Sequence, residues 1–386
     1  MMIRLRRKVV CAVATAVVCA LGPSWVLGQA TPATPAQKPQ MSDEVFKNVQ
    51  VLKGIPIDQF MDTMGFFAAS LSLNCTDCHT ADSGGDWAKY ADDTDLKRTA
   101  RQMILMVTAI NKNNFRGARM VTCYTCHRGG QIPKVRPSLT EQYGVPPAED
   151  PNEVIFLNPP AKGTPTVDQV LDNYVRALGG SAQLAKLTSF VAKGTYEGYD
   201  TEQEARPVEI YAKAPGLRTT VVHYRGADST RTYDGHAAWI ASPDKPVSLL
   251  AVTGGDLDSA RLDAIIGFPA LLKQSYARWK VGMTQIDDKD VIVLQGTSAG
   301  LSPVNLYFDK QSGLLVRKTI FTNTMVGQVP TQVDYSDYRP VAGVRVPFSW
   351  IATWTDGQDT TKLTDVQPNV PIAASKFSTP APVAVR

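Results

Sequence analysis

The sequence predicts an α + β multidomain protein: a mostly helical N-terminal part, then an antiparallel open or half β-barrel with helices. Two observations carry this prediction. Apolar residues recur at steps of three and four before residue 130, and they alternate in short segments after residue 208. These are the periods of helices and of strands. Between the two parts, residues 131–165 contain eight prolines, a composition typical of an extended linker or a wrapping arm.

Three helices are predicted in the N-terminal part. The first covers residues 43–52 and follows Ser42, a residue type favoured immediately before a helix. The second covers residues 57–71 and the third residues 96–111, and each places its apolar side chains on one face. The N-terminal part is therefore expected to be a small bundle of helices joined by polar loops.

The C-terminal part begins with two predicted helices in residues 167–190, separated by a pair of glycines. Residues 309–313, Asp-Lys-Gln-Ser-Gly, are typical of a turn between two strands. A helical insertion is predicted in residues 256–278. Alternating segments that predict strands lie at 208–214, 217–224, 290–297, 304–321 and 332–338. Many short antiparallel strands with few helices favour an open or half-closed barrel.

The first 28 residues have the layout of a secretory signal peptide. Four basic residues between Arg4 and Lys8 precede an apolar run that ends near Leu21, which is short for a membrane span. The mature protein is therefore expected in the periplasm, with an uncleaved N-terminal anchor as the alternative. The predicted organisation is a signal peptide at 1–28, a disordered spacer at 29–41, a helical domain at 42–130, a Pro-rich linker at 131–165 and a β-rich domain at 166–386.

Two copies of Cys-x-x-Cys-His determine the predicted chemistry. They consist of Cys75, Cys78 and His79, and of Cys123, Cys126 and His127. This spacing attaches c-type haem, because both thiols add to the porphyrin vinyl groups and the histidine ligates the iron. A zinc site or two disulfides would use the cysteines, but neither explains a histidine directly after each pair. We therefore expect two covalent haems and a dihaem c-type cytochrome domain.

The sixth iron ligand separates an electron carrier from an enzyme, because an open axial position can bind a substrate. Only His223 and His236 lie outside the motifs, and both are in the C-terminal part. Each is expected to be an ordinary surface or packed histidine. The residues inside the motifs, among them Asp77 and Thr125, are given no special role.

Methionines on the two longer helices are the remaining candidates for the sixth ligand. Met64 lies eleven residues before the first motif, and Met103 lies twenty residues before the second. A thioether opposite histidine raises the reduction potential of the iron. Met61 and Met106, one helical turn away on the same faces, are the competing candidates.

Three stretches resemble the cytochrome c subunit of photosynthetic reaction centres, and more closely the shorter dihaem members of that family. They are MGFFAASLSLNCTDCH at 64–79, RQMILMVTAIN at 101–111 and VTCYTCHRGG at 121–130. The resemblance covers about residues 42–135. It implies that each haem lies along a helix that supplies a methionine ligand, and this implication selects Met64 and Met103.

The chain also departs from the tetrahaem subunit of that family. It has two attachment motifs instead of four, and no histidine between Thr80 and Cys126 that would ligate another haem. It offers no suitable cysteine for lipid attachment. The resemblance implies redox partner proteins, and a membrane electron-transfer complex is one candidate partner. Whether that partner is a photosynthetic reaction centre is left open.

The C-terminal strand rhythm, with phrases such as YFDKQSGLLVRK and VDYSDYRPVAGVRVPFSW, is similar to the lipoprotein-carrier fold of the bacterial envelope. That resemblance implies a lipid or another apolar ligand in a concave face. No Gly-rich phosphate loop, nucleophile elbow or clustered metal ligand occurs in this part. Its tryptophans are expected to line the core or a cavity, and they are Trp239, Trp279, Trp350 and Trp354.

Charge excludes one class of partner. The chain has 40 Lys and Arg against 36 Asp and Glu, and removal of the leader leaves it near neutrality, so nucleic acid is not an expected partner. The leading hypothesis is a periplasmic electron-transfer protein, not an enzyme, with two His/Met haems. The alternatives are a peroxidase-like dihaem enzyme with one open site, and an envelope protein that binds a lipid or partner and uses haem as a redox sensor.

Overall fold

The computed structural model describes residues 38–84, 86–145, 149–224 and 226–385. All of them belong to one compact unit, Gln37–Arg386. The predicted signal peptide and most of the predicted spacer lie outside the described residues. The last residues of the spacer are described, and Met41 forms an isolated antiparallel bridge with Pro56.

The N-terminal part is helical, as predicted. Its two longer helices start and end within a few residues of the predicted positions, but the first helix stops at Val45 because Phe46 is extended, with a φ of −93° and a ψ of 139°. The helices of the described residues are α1 Ser42–Val45, α2 Ile57–Leu71, α3 Cys75–Cys78, α4 Asp95–Asn114, α5 Cys123–His127, α6 Leu139–Tyr143, α7 Val167–Ala177, α8 Ser181–Leu184 and α9 Gly254–Ile266.

The strands of the described residues form one antiparallel sheet, with the spatial order β6-β5-β4-β3-β2-β1-β13-β12-β11-β10-β9-β8-β7. Its two edges, β6 and β7, do not pair with each other, so the sheet is open. The strands are β1 Ser189–Gly198, β2 Arg206–Lys213, β3 Leu217–His223, β4 Asp228–Tyr233, β5 Ala238–Ala241, β6 Leu250–Val252, β7 Arg278–Ile286, β8 Lys289–Thr297, β9 Val304–Asp309, β10 Leu315–Asn323, β11 Gln328–Val341, β12 Val344–Trp354 and β13 Gly357–Pro368.

The sheet curls into a half-barrel around α9. This helix contacts β3 and β4 on one side and β10 on the other. Between β3 and β10 lie six strand spacings, about 29 Å across a flat sheet, whereas a helix with its side chains is about 10–12 Å wide. One helix can therefore reach both strands only if the sheet bends around it. The predicted helical insertion at 256–278 is α9 followed by two short 3₁₀ turns, Pro269–Leu271 and Lys273–Ser275.

The N-terminal residues 38–135, called the motif segment below, share apolar cores with the half-barrel. Ile57 at the start of α2 is fully buried among side chains of β4, β5, β6 and α9. Phe66 lies further along α2 and packs with Val326 and Val329 of the β10–β11 hairpin. A Cβ on Gly327 would lie only 2.4 Å from the Phe66 ring. The absence of a side chain there therefore lets the hairpin approach α2 closely.

A polar link joins the same two parts. The carboxylate of Asp58, in the first turn of α2, accepts hydrogen bonds from the backbone N–H and the hydroxyl of Thr253. Thr253 is the residue that precedes α9, and its own side chain does not cap that helix. Since the first N–H groups of a helix lack partners within the helix, Asp58 satisfies a donor at the start of α9 from outside the barrel.

Part of the predicted linker lies on the outer face of the sheet. Val154 and Phe156 pack against Val291, Val293 and Tyr307. Asn152 accepts hydrogen bonds from the hydroxyl groups of Tyr307, at 3.1 Å, and Thr319, at 2.8 Å. These contacts hold the residues that precede α7 against strands β8, β9 and β10.

Candidate haem site

The first motif is a one-turn helix with a reciprocal cap. The side chain of Asn74 accepts a hydrogen bond from the N–H of Asp77 at 3.1 Å, and the Asp77 carboxylate accepts one from the N–H of Asn74 at 2.8 Å. Such a capping box stabilises a helix start. Residues three apart in a helix lie on the same side, so the helical turn presents the thiols of Cys75 and Cys78 together.

The second motif repeats this arrangement with different residues. The N–H of Thr125 donates to the hydroxyl of Thr122 at 3.3 Å, and the N–H of Thr122 donates to the hydroxyl of Thr125 at 3.0 Å. The interior residues Asp77 and Thr125 therefore shape the motifs, contrary to the sequence interpretation. The spacing of Asn74 to Asp77 and of Thr122 to Thr125 is the signal that would have found them.

Both motif histidines are oriented for a metal. The Nδ1 atom of His79 lies 3.0 Å from the carbonyl oxygen of Tyr90, and Nδ1 of His127 lies 3.1 Å from that of Gly130. A carbonyl can only accept, so each Nδ1 carries the proton and each Nε2 keeps a free lone pair. Ligand histidines typically have this second hydrogen bond. The histidines thus fit the axial role that the motif assigns to them.

Backbone contacts bring the two motifs close together. Gly129, two residues after His127, donates its N–H to the carbonyl of Ser70 at 3.0 Å, and its own carbonyl accepts from the hydroxyl of Ser72 at 2.6 Å. Ser72 lies three residues before Cys75, a distance of at most about 11 Å along the chain. The end of α2 therefore holds both motifs as neighbours.

One cavity of about 1920 Å³ opens at both motifs. It extends from the motif segment into the concave face of the half-barrel. Its lining includes Met64, Met103, Cys75, Cys78, His79, Cys123 and His127. The four motif cysteines are free thiols. A large space bordered by unpaired thiols, oriented histidines and thioethers fits the size and the chemistry of covalently attached porphyrin.

The methionines differ in their positions. Met64 and Met103 are partly buried and both line the cavity. Met61 also lines it but is 37% exposed, whereas Met106 is 44% exposed and lies outside the lining. The thioethers of Met64 and Met103 are therefore better shielded from water than those of the competing residues.

Aromatic rings form a continuous wall beside the first motif. The ring of Phe60 stacks on that of Phe46 at 4.8 Å between centroids, and Phe46 is followed by Trp87 at 6.4 Å. Trp87 contacts Tyr90 at 5.4 Å, and Tyr90 contacts His79 at 4.8 Å. All five side chains line the cavity. They provide the apolar surface that a flat macrocycle needs.

Burial determines the ionisation of the motif side chains. It raises the pKa values of the Cys75, Cys78 and Cys123 thiols, and the Asp356 carboxylate raises that of Cys75 further. Burial, followed by the nearby Lys97, lowers the pKa of His79. The neutral imidazole is thus favoured, and this is the form that can ligate a metal.

Several carboxylates line the cavity beyond the motifs. Asp62 of α2 faces Asp256 of α9, and burial raises the pKa of each, with carboxylate repulsion adding to the effect. Asp356, in the β12–β13 turn, lies close to α2, since a Cβ on Gly65 would lie 3.1 Å from its Oδ1 atom. The cavity is therefore apolar at the motifs and acidic where α2 meets the half-barrel.

Replacing Asp359 of β13, another lining carboxylate, with asparagine is expected to stabilise the protein at alkaline pH. Burial raises the pKa of Asp359 to about 7, whereas an unfolded aspartate titrates near 3.9. The unfolded state therefore releases its proton first, and stability falls as the pH rises from about 4 to about 7. Removing the charge should add roughly 2–4 kcal/mol to the free energy of unfolding at pH 8 and nothing near pH 4.

Denaturant titrations at both pH values measure this effect. Asp288→Asn, at an exposed position in the β7–β8 turn, is the matched control and should change stability little at either pH. A variant at Asp359 that is no more stable at pH 8 than the natural chain would contradict the prediction.

The remaining predicted residues are structural. His223 pairs with Asp228 through Nδ1 at 2.9 Å on the surface, and His236 lies in the turn after β4. Trp239 is 2% exposed and belongs to the core. Trp350 and Trp354 line the cavity, and Trp279 packs on the core between α7, α9 and the sheet. The expectation of core or cavity positions for the four tryptophans is confirmed.

A helical segment with two Cys-x-x-Cys-His motifs and oriented histidines has the architecture of a c-type cytochrome, here joined to an open antiparallel half-barrel. Residues 20–144 match the family described as photosynthetic reaction centre cytochrome C subunit. The resemblance predicted from the sequence is confirmed for this part of the chain. The matched region contains both Cys-x-x-Cys-His motifs.

Individual relatives agree with the family match. The photosynthetic reaction center cytochrome c subunit of Thermochromatium tepidum is 37% identical over 110 residues, covering 28% of this chain and 26% of the relative. The subunit of Roseobacter denitrificans is 33% identical over 110 residues, covering 26% of this chain and 29% of the relative. The chain thus spans only about a quarter of the length of these curated relatives.

Solved structures resemble the C-terminal part. A DUF1329 family protein from Desulfovibrio piger has a TM-score of 0.39 and 12% identity, covering 55% of this chain and 97% of that protein. A LolA superfamily protein from Nitrosomonas europaea has a TM-score of 0.38 and 13% identity, covering 55% of this chain and 98% of that protein. At this level of similarity neither structure says what the sheet binds.

None of the helices between residues 38 and 385 that the structure describes combines the length and the hydrophobicity that a membrane span requires.

Proposed function

We propose that the protein is an exported, periplasmic electron-transfer protein that carries two covalent haems with histidine and methionine ligands. The observation that carries this proposal is the single cavity that opens at both Cys-x-x-Cys-His motifs. Its lining includes three of the four motif thiols, those of Cys75, Cys78 and Cys123, and the two motif histidines, whose Nδ1 atoms are taken by backbone carbonyls. When bound, haem would supply one-electron chemistry at each motif.

Each side chain has a defined part in this proposal. Cys75 and Cys78 would hold the first haem, and Cys123 and Cys126 the second. His79 and His127 would be ligands on one side of each iron, oriented by the carbonyl oxygens of Tyr90 and Gly130. The aromatic wall and α2 would border the first haem on its apolar side.

Met64 and Met103 would each supply a further ligand to an iron. They are partly buried and line the cavity, whereas Met106 lies outside it. A methionine ligand fills the sixth position, and a filled position favours electron transfer over binding of peroxide. The geometry therefore favours a carrier over a peroxidase-like enzyme.

The zinc interpretation fits less well. A structural zinc site needs four converging nitrogen or sulfur ligands, and a catalytic site needs three. Within the described ranges, no group of three or more His, Cys, Asp or Glu side chains is arranged to hold a metal ion. Haem needs only the two thiols and one histidine of each motif from the chain, with the porphyrin supplying the other iron ligands.

The proposal is tested on protein matured in a host that attaches c-type haem. We expect a mass equal to the mature polypeptide plus two haems, and a redox titration with optical spectra that shows two low-spin centres. A mass equal to the bare polypeptide would contradict the proposal. High-spin ferric features that shift when cyanide is added would favour the peroxidase-like alternative.

Replacing the methionine ligands should change the ferric spectrum one haem at a time. Met64→Ala and Met103→Ala are each expected to remove about half of the weak absorption band near 695 nm that is characteristic of histidine–methionine ligation. Met61→Ala and Met106→Ala are the matched controls and should leave the band intact. Loss of the band in a control variant would show that the ligand is the methionine one helical turn away.

The cavity favours a second candidate function for the half-barrel. Its lining continues from the motifs along the concave face, past Tyr335, Tyr338 and Trp350, so a lipid or another apolar ligand would contact both parts of the protein. Native mass spectrometry of the purified protein, before and after delipidation, tests this candidate. An identical mass in both samples would count against it.

A further inference from the structure

The charges of the motif segment are divided along the chain. Residues 41–95, which contain the first motif, have ten Asp or Glu residues and three Lys residues. Residues 96–140, which contain the second motif, have nine Lys or Arg residues and no Asp or Glu. The near-neutral total charge of the chain conceals this separation.

Three of the nine cations are used inside the motif segment. Arg98 pairs with Asp95, and Arg101 pairs with Asp93 at 2.8 Å. Lys97 donates to two backbone carbonyls in the loop before α4. These contacts attach the start of α4 to the acidic half. The other cations lie beyond this helix start.

Five of those remaining cations form what we call the basic patch. All five are exposed, and in the described part of the chain none has a carboxylate within 4 Å. They are Lys112, Arg116, Arg119, Arg128 and Arg136. The sixth, Lys134, pairs with Glu141. Charges without partners act on approaching molecules instead of stabilising the chain.

Two members of the basic patch, Arg119 and Arg128, flank the second motif, and the loop before that motif is held in place. Asn111 at the end of α4 donates its amide to the carbonyl of Val121 at 2.7 Å and accepts from the N–H of Val121 at 2.9 Å. Arg119 lies four residues before Cys123, at most about 14 Å away. Arg128 directly follows His127.

Apolar side chains are exposed among these cations. Met120 is 64% exposed, Tyr124 54%, Ile132 82% and Val135 90%. Cys126 is exposed as well. Protein interfaces commonly combine an apolar centre with a polar and charged rim. The surface around the second motif has both components.

We propose that the basic patch docks an acidic redox protein at the second motif. This inference rests on the proposed function and adds the place of docking and the charge of the partner. The first motif lies beside the aromatic wall in the acidic half of the segment, and its Cys75 is exposed like Cys126 of the second motif. The two motifs differ in the charge around them and not in exposure, so an acidic partner would be repelled from the first half and steered to the second motif.

Matched charge reversals test the proposal. One triple variant carries Lys112→Glu, Arg119→Glu and Arg136→Glu, all within the basic patch. The control triple variant carries Lys186→Glu, Lys213→Glu and Lys280→Glu, at exposed positions of the half-barrel part that likewise have no carboxylate partner among the described residues. Both variants change the net charge by the same amount, so only the position of the charge differs.

The probe is a plant-type ferredoxin, a small acidic redox protein, added to the haem-loaded protein. Its dissociation constant is measured by calorimetry at about 20 mM and about 200 mM ionic strength, since added salt screens charges. We expect binding to weaken at the higher salt. At low salt we expect at least tenfold weaker binding for the patch variant and less than about twofold for the control.

Other outcomes would overturn the proposal. Equally weakened ferredoxin binding in both variants would mean that only the net charge of the protein affects binding. Ferredoxin binding that does not depend on salt would mean that the basic patch does not attract the partner. Binding to anionic phosphatidylglycerol vesicles, with no binding to the ferredoxin, would make the surface a membrane contact. The haem spectrum is recorded first for every variant. A missing haem spectrum would mean that the proposed function is wrong, whereas the outcomes above leave the spectrum unchanged.

Discussion

The double variant Cys75→Ser, Cys78→Ser is expected to carry one haem per chain instead of two. Serine cannot form the thioether bonds that hold c-type haem, whereas the hydrogen bonds of the capping box at Asn74 do not involve either thiol. Mass spectrometry and the haem absorbance per chain measure the loss directly.

The double variant Cys123→Ser, Cys126→Ser is the matched comparison. It should also lose one haem and retain the haem of the first motif, so the two variants should each show half of the haem absorbance per chain. Two haems in the first variant would contradict the assignment of that motif.

Phe66→Ala is expected to reduce the free energy of unfolding by about 3–5 kcal/mol. The Phe66 ring is 7% exposed and fills the contact between α2 and the β10–β11 hairpin. Truncation leaves a cavity that the hairpin cannot close without moving Gly327. Chemical denaturation of the haem-loaded protein measures the change.

Phe115→Ala is the control for this substitution. It changes the same residue type in the same segment, but Phe115 is 38% exposed at the end of α4, so we expect a loss of less than about 1 kcal/mol. Equal stability of the two variants would show that α2 and the hairpin do not share a core.

Periodicity was sufficient to predict α2 and α4, the turn at 309–313 and the open antiparallel sheet. These elements have regular spacing over many residues, and the local pattern agrees with the tertiary contacts. The helix predicted at 43–52 was too long, because the chain is extended at Phe46 and Leu52 packs against α2 from the following loop. Tertiary packing overrides local preference in such short segments.

The two motifs could be predicted from the sequence because their spacing is specific, but the residues that contact them could not. The hydrogen bond from His79 to Tyr90 joins residues eleven apart, and that from Thr253 to Asp58 joins residues 195 apart. No local pattern encodes such pairs. The charge separation was present in the sequence and was hidden by summing charges over the whole chain.

The hydrogen bonds from Thr253 to Asp58 have a consequence for modularity. The carboxylate of Asp58, from the N-terminal part, accepts the hydrogen bonds at the start of α9, the helix around which the half-barrel curls. The C-terminal part therefore lacks one group that its own fold uses. If the chain were divided within residues 131–165, the C-terminal fragment would retain α9 with an unsatisfied donor at its start and an open apolar face where Ile57 had been. The two parts are therefore better regarded as one cooperative unit than as a carrier and a cytochrome joined by a linker. A recombinant fragment of either part would lack contacts that the full chain has.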